Sequence, residues 1–268
     1  MKLIDIISLY QVDAFADKMF AGNPAAICPV EEWLSDEIML SIASENNLSE
    51  TAFVNINSTP IFIRWFTPTI EVDLCGHATL ASARILFDEY LPKNTSEIIF
   101  NSRSGELKAF KRDGLIYLDF PRDEPKRVEN NSLIGEGLGT QPKQLFKGKD
   151  DFLAIFESEQ VIKSMNPDFK KISRLESRGL IISAQGLHED FVSRCFYPQT
   201  GVDEDAVTGS AHTLMVPYWQ KVLRKNVLNA RQCSSRGGYL KCQLHEDRVF
   251  IGGSSVRYME GKITLENY

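Results

Sequence analysis

The chain has 268 residues, 43% of them apolar, and a formal charge of -6. That is enough apolar material to core one large domain or two of ordinary size. The acidic balance gives no electrostatic reason to expect nucleic acid, and no apolar run is long enough to span a bilayer. Asp5 interrupts the apolar start, which argues against a secretory signal. Five scattered cysteines (Cys28, Cys75, Cys195, Cys233, Cys242), with no CxxC pair, suit free thiols in a reducing compartment, so the cytoplasm is the expected address.

In chain order, Ile7–Phe15 has strand character and Gly22-Asn23-Pro24 marks a tight turn. A helix follows, with Ser35 as N-cap, Asp36 and Glu37 in its first turn, and Asn46-Asn47 at its end. Strands are predicted over Thr51–Asn57 and Ile61–Thr67. After Gly76, the recurrence of Leu80, Ala83, Phe87 and Tyr90 predicts a second helix. Strands follow at Glu97–Asn101, Glu106–Lys111 and Leu115–Phe120. The stretch Pro121–Asp151, rich in Pro, Gly, Asn and charge, reads as a connection between lobes, placed at residues 1–121 and 122–268, with the last strand free to pack back on the first lobe. β-like runs then recur at Phe152–Phe156, Leu180–Ala184 and Phe191–Tyr197. A long helix is predicted from near Gly209, and strand-rich sequence from Leu228 to Leu265.

The two halves echo each other. Arg64-Trp65-Phe66-Thr67-Pro68 leads to Cys75-Gly76-His77-Ala78, and Arg194-Cys195-Phe196-Tyr197-Pro198 leads to Thr208-Gly209-Ser210-Ala211. In each, an aromatic strand ends at proline, an acidic loop follows, and a glycine with small residues opens a helix. About half the chain separates the two glycines, as in a duplicated fold. Helix starts present unpaired N–H groups that can hold an anion or a developing enolate, the chemical use open to Gly76-His77 and Gly209-Ser210. Tight turns or close packing are the alternative use of the same glycines.

Several blocks, in order, carry a specific likeness: Asp13-Ala14-Phe15, Phe20-Ala21-Gly22-Asn23-Pro24-Ala25-Ala26, Asn47-Leu48-Ser49-Glu50-Thr51, Trp65-Phe66-Thr67-Pro68 with Cys75-Gly76-His77, and Asp203-Glu204-Asp205 with Thr208-Gly209-Ser210-Ala211-His212. Arg231-Gln232 and Arg236-Gly237-Gly238 add a late match. By these the chain resembles the PhzF-like family of phenazine-biosynthesis isomerases and their relatives. The resemblance implies an α/β (α+β) fold like that of diaminopimelate epimerase: two pseudo-symmetric lobes, each a mixed sheet around a central helix, with the active site between them. It implies Glu50 as the acid–base group, supported by His77 and Asp205, and a homodimer.

A carboxylate at a strand start facing a closed cleft can have its pKa raised by desolvation until it both removes and returns a proton near neutrality. The expected reaction is a cofactor-independent proton shift on a small anionic, carboxylate-bearing substrate, held by Gly76, Gly209 and Ser210. A non-catalytic ligand-binding protein of the same fold, and a hydrolase using Glu50 and Asp205 as a carboxylate pair, are the alternatives. Amino-acid epimerases of this fold use two thiols. Cys75 occupies the place of one, but its counterpart is Thr208, a poor acid or base, and Cys75 reads as a small buried residue at a helix start. Gly135-Glu136-Gly137-Leu138-Gly139 lacks a preceding strand and reads as turn sequence after a short helix. The histidines His77, His188, His212 and His245 show no zinc-ligand pattern, so neither metal nor cofactor is expected.

Overall fold

The structure, a computed structural model, describes residues 5–265. Met1–Ile4, on which the reading of the N-terminus partly rests, lie outside the described residues. The described chain forms two compact units. One runs to Asp119 and takes in the residues from Gly253; the other is Phe120–Gly252. Among the described residues no helix is long and apolar enough to cross a membrane.

The first unit contains β1 (Asp5–Ala14), β2 (Asn23–Val30), α1 (Asp36–Asn46), β3 (Glu50–Asn55), β4 (Ile61–Phe66), the short β5 (Glu71–Val72), α2 (Gly76–Ile85), β6 (Glu97–Ser102), β7 (Gly105–Arg112) and β8 (Leu115–Pro121). The second contains β9 (Lys126–Val128), α3 (Ser132–Leu138), β10 (Gln144–Lys147), β11 (Asp151–Ile155), α4 (Glu159–Ser164), α5 (Phe169–Ile172), β12 (Gly179–Gln185), β13 (Phe191–Phe196), α6 (His212–Leu223), β14 (Val227–Gln232), β15 (Gly238–His245) and β16 (Arg248–Gly253). β17 (Ser255–Leu265) pairs antiparallel with β1 in the first unit.

The two units use the same ladder. In the first, β1–β2 is antiparallel, β2–β3 parallel, β3–β4 antiparallel, β4–β6 parallel and β6–β7 antiparallel. In the second, β10–β11, β11–β12, β12–β13, β13–β14 and β14–β15 repeat that series of directions. Each parallel step needs a crossover, and helices supply it: α1 and α2 in the first unit, α4 with α5 and then α6 in the second. Registers correspond as well. Ala25 pairs with Glu50 one residue before Thr51 meets Phe66, and Asp151 pairs with Gly179 one residue before Leu180 meets Phe196. The sequence echo is therefore a duplicated α/β architecture.

Every residue of α2 except Arg84 is buried, and the helix touches β1, β2, β3, β7 and β17. Its composition explains how. Ala78, Ala81 and Ala83 let strands approach closely, while Thr79 and Ser82 return their hydroxyls to the carbonyls of Cys75 and Ala78 and so bury no unpaired group. In α6, Trp219 stacks on Phe191 and donates its indole N–H to Ser183 of β12. Pro217 lies inside that helix and cannot bond the Thr213 carbonyl; the backbone N–H of Asp123 does so at 3.2 Å.

The caps of α1 fall where the sequence puts them. Ser35 accepts the N–H of Ile38, and Asn47 closes the helix in the left-handed region. Three expectations need correction. Pro121–Asp151 is not a bare connection, because β10 pairs with both β9 and β11 and α3 packs into the second core. Gly135 and Gly137 lie inside α3, and only Gly139 is its left-handed cap. A Cβ at Gly137 would sit 2.8 Å from the Ile172 side chain, so close packing selects that glycine. The last helix starts at His212 and not near Gly209: Gly209–Ala211 form a tight turn in which the carbonyls of Gly209 and Ser210 accept from residues three ahead.

Candidate active site

In the first unit, the parallel pairing of β2 and β3 puts their N-terminal ends side by side, and the start of α2 meets them there. α1 ends at the Asn47 cap, and Leu48 and Ser49 turn the chain so that Glu50 is the first residue of β3. Its carboxylate Oε2 lies 3.2 Å from Nε2 of His77, the second residue of α2, within ion-pair range but off a hydrogen-bonding direction. His77 is 6% exposed. Its other nitrogen, Nδ1, lies 3.2 Å from Asn23 Nδ2 and 3.5 Å from Cys75 Sγ. If Nδ1 accepts from the Asn23 amide, the ring proton sits on Nε2 and faces the Glu50 carboxylate. Cys75 is the N-cap of α2, buried, with no side-chain cap bond.

Asn23, which the sequence places in a tight turn and in one of the blocks that carry the family likeness, is fully buried. The turn is what delivers Asn23 to His77. Between β1 and β2 the chain passes through three left-handed residues, Phe15, Phe20 and Gly22. Asp13, 2% exposed, ties the loop by accepting the Phe20 N–H at 2.9 Å. The available signal was the close sequence spacing of an acid, two aromatics and Gly-Asn.

In the second unit, Asp205 follows β13, its N–H bonded to the Cys195 carbonyl at 3.0 Å. The Thr208 hydroxyl donates to Asp205 Oδ2, so Asp205 caps a threonine side chain and not a helix. Gln232 of β14, fully buried, clamps this turn. Its Oε1 accepts the Thr208 N–H at 2.9 Å and its Nε2 donates to the Asp205 carbonyl at 2.8 Å. Replacing Gln232 by leucine is expected to cost about 2–4 kcal/mol, since two polar backbone groups lose their partners, and urea titration of the variant checks it. Gly209 is buried and Ser210 half-buried. Among the described residues no group accepts the N–H of Gly209, Ser210 or Ala211, which leaves three adjacent donors for an anion. The Cys195 thiol beneath is pushed well above its ordinary range by burial and then by the Asp205 charge, so it is chemically quiet.

His212 is fully buried, its Nδ1 2.9 Å from the Thr208 carbonyl. Burial lowers its pKa from 6.5 to about 4, against the opposing pull of hydrogen bonds to Thr208 and Gly209. The unfolded imidazole binds a proton that the folded one refuses. Stability is therefore full above about pH 6.5 and falls as pH drops toward 4, by about 3 kcal/mol over that window. His212→Asn is expected to flatten this part of the stability profile, read by chemical denaturation at several pH values.

The structure thus gathers Glu50, Gly76 and His77 in one unit, and Asp205, Gly209 and Ser210 in the other. It also brings the Glu50, Cys75 and His77 donor atoms within 4.8 Å of one another, a metal-competent set that the sequence spacing did not suggest.

With this fold and these residues in hand, the comparisons are consistent. The phenazine biosynthesis-like protein (PhzC-PhzF) family description matches residues 12–261, and the chain belongs to that family. An uncharacterized isomerase of Pseudomonas aeruginosa is 46% identical over 97% of this chain and 99% of its own length. A crystal structure of a phenazine biosynthesis protein of the PhzF family from Enterococcus faecalis superposes with a TM-score of 0.94 at 42% identity, over 97% of this chain and all of that one. A predicted epimerase from Pseudomonas aeruginosa shares the fold, with a TM-score of 0.73 at 17% identity over 96% of this chain and 99% of that one. The family and its named isomerases support an isomerase.

Proposed function

We propose that the protein is a cofactor-independent isomerase or epimerase in which Glu50 removes a proton from carbon and returns it to the same small, carboxylate-bearing substrate. One observation carries the reading: a single carboxylate at a strand start, held against a buried imidazole at the N-terminus of a buried helix. A base of this kind needs a fixed direction, which the His77 contact supplies to a partly buried Glu50. His77 orients Glu50 and stabilises charge as the proton moves. Asp205 takes a supporting role at the substrate. The N–H groups at Gly76, Gly209 and Ser210 bind the carboxylate and the enolate-like charge that develops next to it.

Small carboxylates incubated in deuterated buffer test this by NMR. A substrate should gain deuterium at carbon with the wild type. If ligands bind without exchange, the chain is a binding protein and the reading fails. If exchange persists in Glu50→Gln, the base is another residue.

A further inference from the structure

Beyond the proton shift, we infer that Glu50, Cys75 and His77 form a zinc-binding site whose occupancy shuts off the acid–base carboxylate. The zinc site rests on donor chemistry alone; that its occupancy stops turnover rests on the proposed role of Glu50. A carboxylate oxygen, a thiol sulfur and an imidazole nitrogen lie within 4.8 Å of one another, and two of the three residues are buried. Carboxylate, thiolate and imidazole together make a donor set suited to Zn2+, and three protein ligands leave a fourth position for water.

The distances are close to what coordination needs. Bonds of about 2.0–2.3 Å to zinc put tetrahedral donors about 3.3–3.7 Å apart. Glu50 Oε2 and His77 Nε2 are 3.2 Å apart, just below that range. Cys75 Sγ is nearer Nδ1, at 3.5 Å, so side-chain rotation of Cys75 must carry the sulfur toward Nε2. Asn23 then serves the other ring nitrogen. Its amide lies 3.2 Å from Nδ1, and turned about its own axis it presents an oxygen to an Nδ1–H, the second contact that a metal-bound histidine uses.

Charge supplies the driving force. Cys75 is the N-cap of α2, at the end of the helix whose backbone N–H groups are unpaired. Thiolate and the Glu50 carboxylate together would leave two negative charges in a largely enclosed place. A dication compensates both, releasing the thiol proton to solvent on binding. With a carboxylate oxygen on the metal, Glu50 cannot accept a proton from carbon, so metal binding and catalysis exclude each other.

Cobalt(II) serves as the spectroscopic probe. Chelator-treated full-length protein titrated with Co2+ should bind one equivalent and develop a thiolate-to-cobalt charge-transfer band, displaced by Zn2+. Cys75→Ser should lose the band. Glu50→Gln should keep it while binding about tenfold or more weakly. Absence of the band, or a band that persists in Cys75→Ser, overturns the inference, the latter pointing to Cys233 or another thiol. Deuterium exchange measured in the presence of chelator reports the proton shift separately, so each idea can fail without the other.

Discussion

Glu50→Gln is expected to lower the rate of carbon-bound deuterium exchange by about two to four orders of magnitude, the span that a positioned acid–base group contributes. The amide keeps the size of the carboxylate and its place at the head of β3, so thermal stability should stay within about 0.5 kcal/mol of wild type. Glu50→Asp provides the sharper test. It keeps the charge but withdraws the oxygens by one methylene from both His77 and the substrate. It should retain part of the activity and lose mainly turnover, because a misplaced base fails chiefly in the transition state. Equal losses in the two variants would mean that position matters as much as charge. A loss confined to substrate binding would move Glu50 out of the proton-transfer role. Exchange rate and binding affinity, measured separately, decide among these.

Gly22→Ala should have the largest effect on stability. Gly22 has φ +66, and a Cβ there would stand 2.1 Å from the Ala14 carbonyl oxygen and 2.8 Å from the Ala16 Cβ. Both the left-handed backbone and the contact with a carbonyl in the adjoining strand oppose a side chain. The two costs together come to about 2–5 kcal/mol. Because Asn23 follows directly and faces His77, the loss should not be confined to stability. Catalysis should fall even at temperatures where the variant is folded. Denaturant titration and exchange kinetics on the same preparation separate the two effects. A variant as stable as wild type would contradict the geometry around Gly22.

The sequence made much of this arrangement legible, for reasons that can be assigned. Ser35 and Asn47 are capping residues that act within a few positions of themselves, so local chemistry locates α1 and, to within a residue, the start of β3. The duplicated pattern around Gly76 and Gly209 is visible because both segments repeat a strand, an acidic loop and a small-residue helix entry. What escaped depends on partners distant in the chain. Gly135 and Gly137 look like turn residues until Gln141 and Ile172 are seen to occupy the space their side chains would need. Asn23 looks like a turn residue until His77, far along the sequence, arrives at its amide. Gln232 reads as one polar residue in a strand, and only the fold brings Asp205 and Thr208 to it. The metal-competent grouping was hidden for the same reason: Cys75 and His77 are neighbours in sequence, but their third member comes from another strand.

The matching ladders also locate where the two units differ. The position in the second unit that corresponds to Glu50 is Gly179. There a Cβ would lie 2.2 Å from the Tyr197 ring and 2.7 Å from the Phe196 carbonyl oxygen. The two units are thus not interchangeable at this position. One unit has an acid where the other has an aromatic ring in the space a side chain would take, and no single substitution at Gly179 makes the two alike.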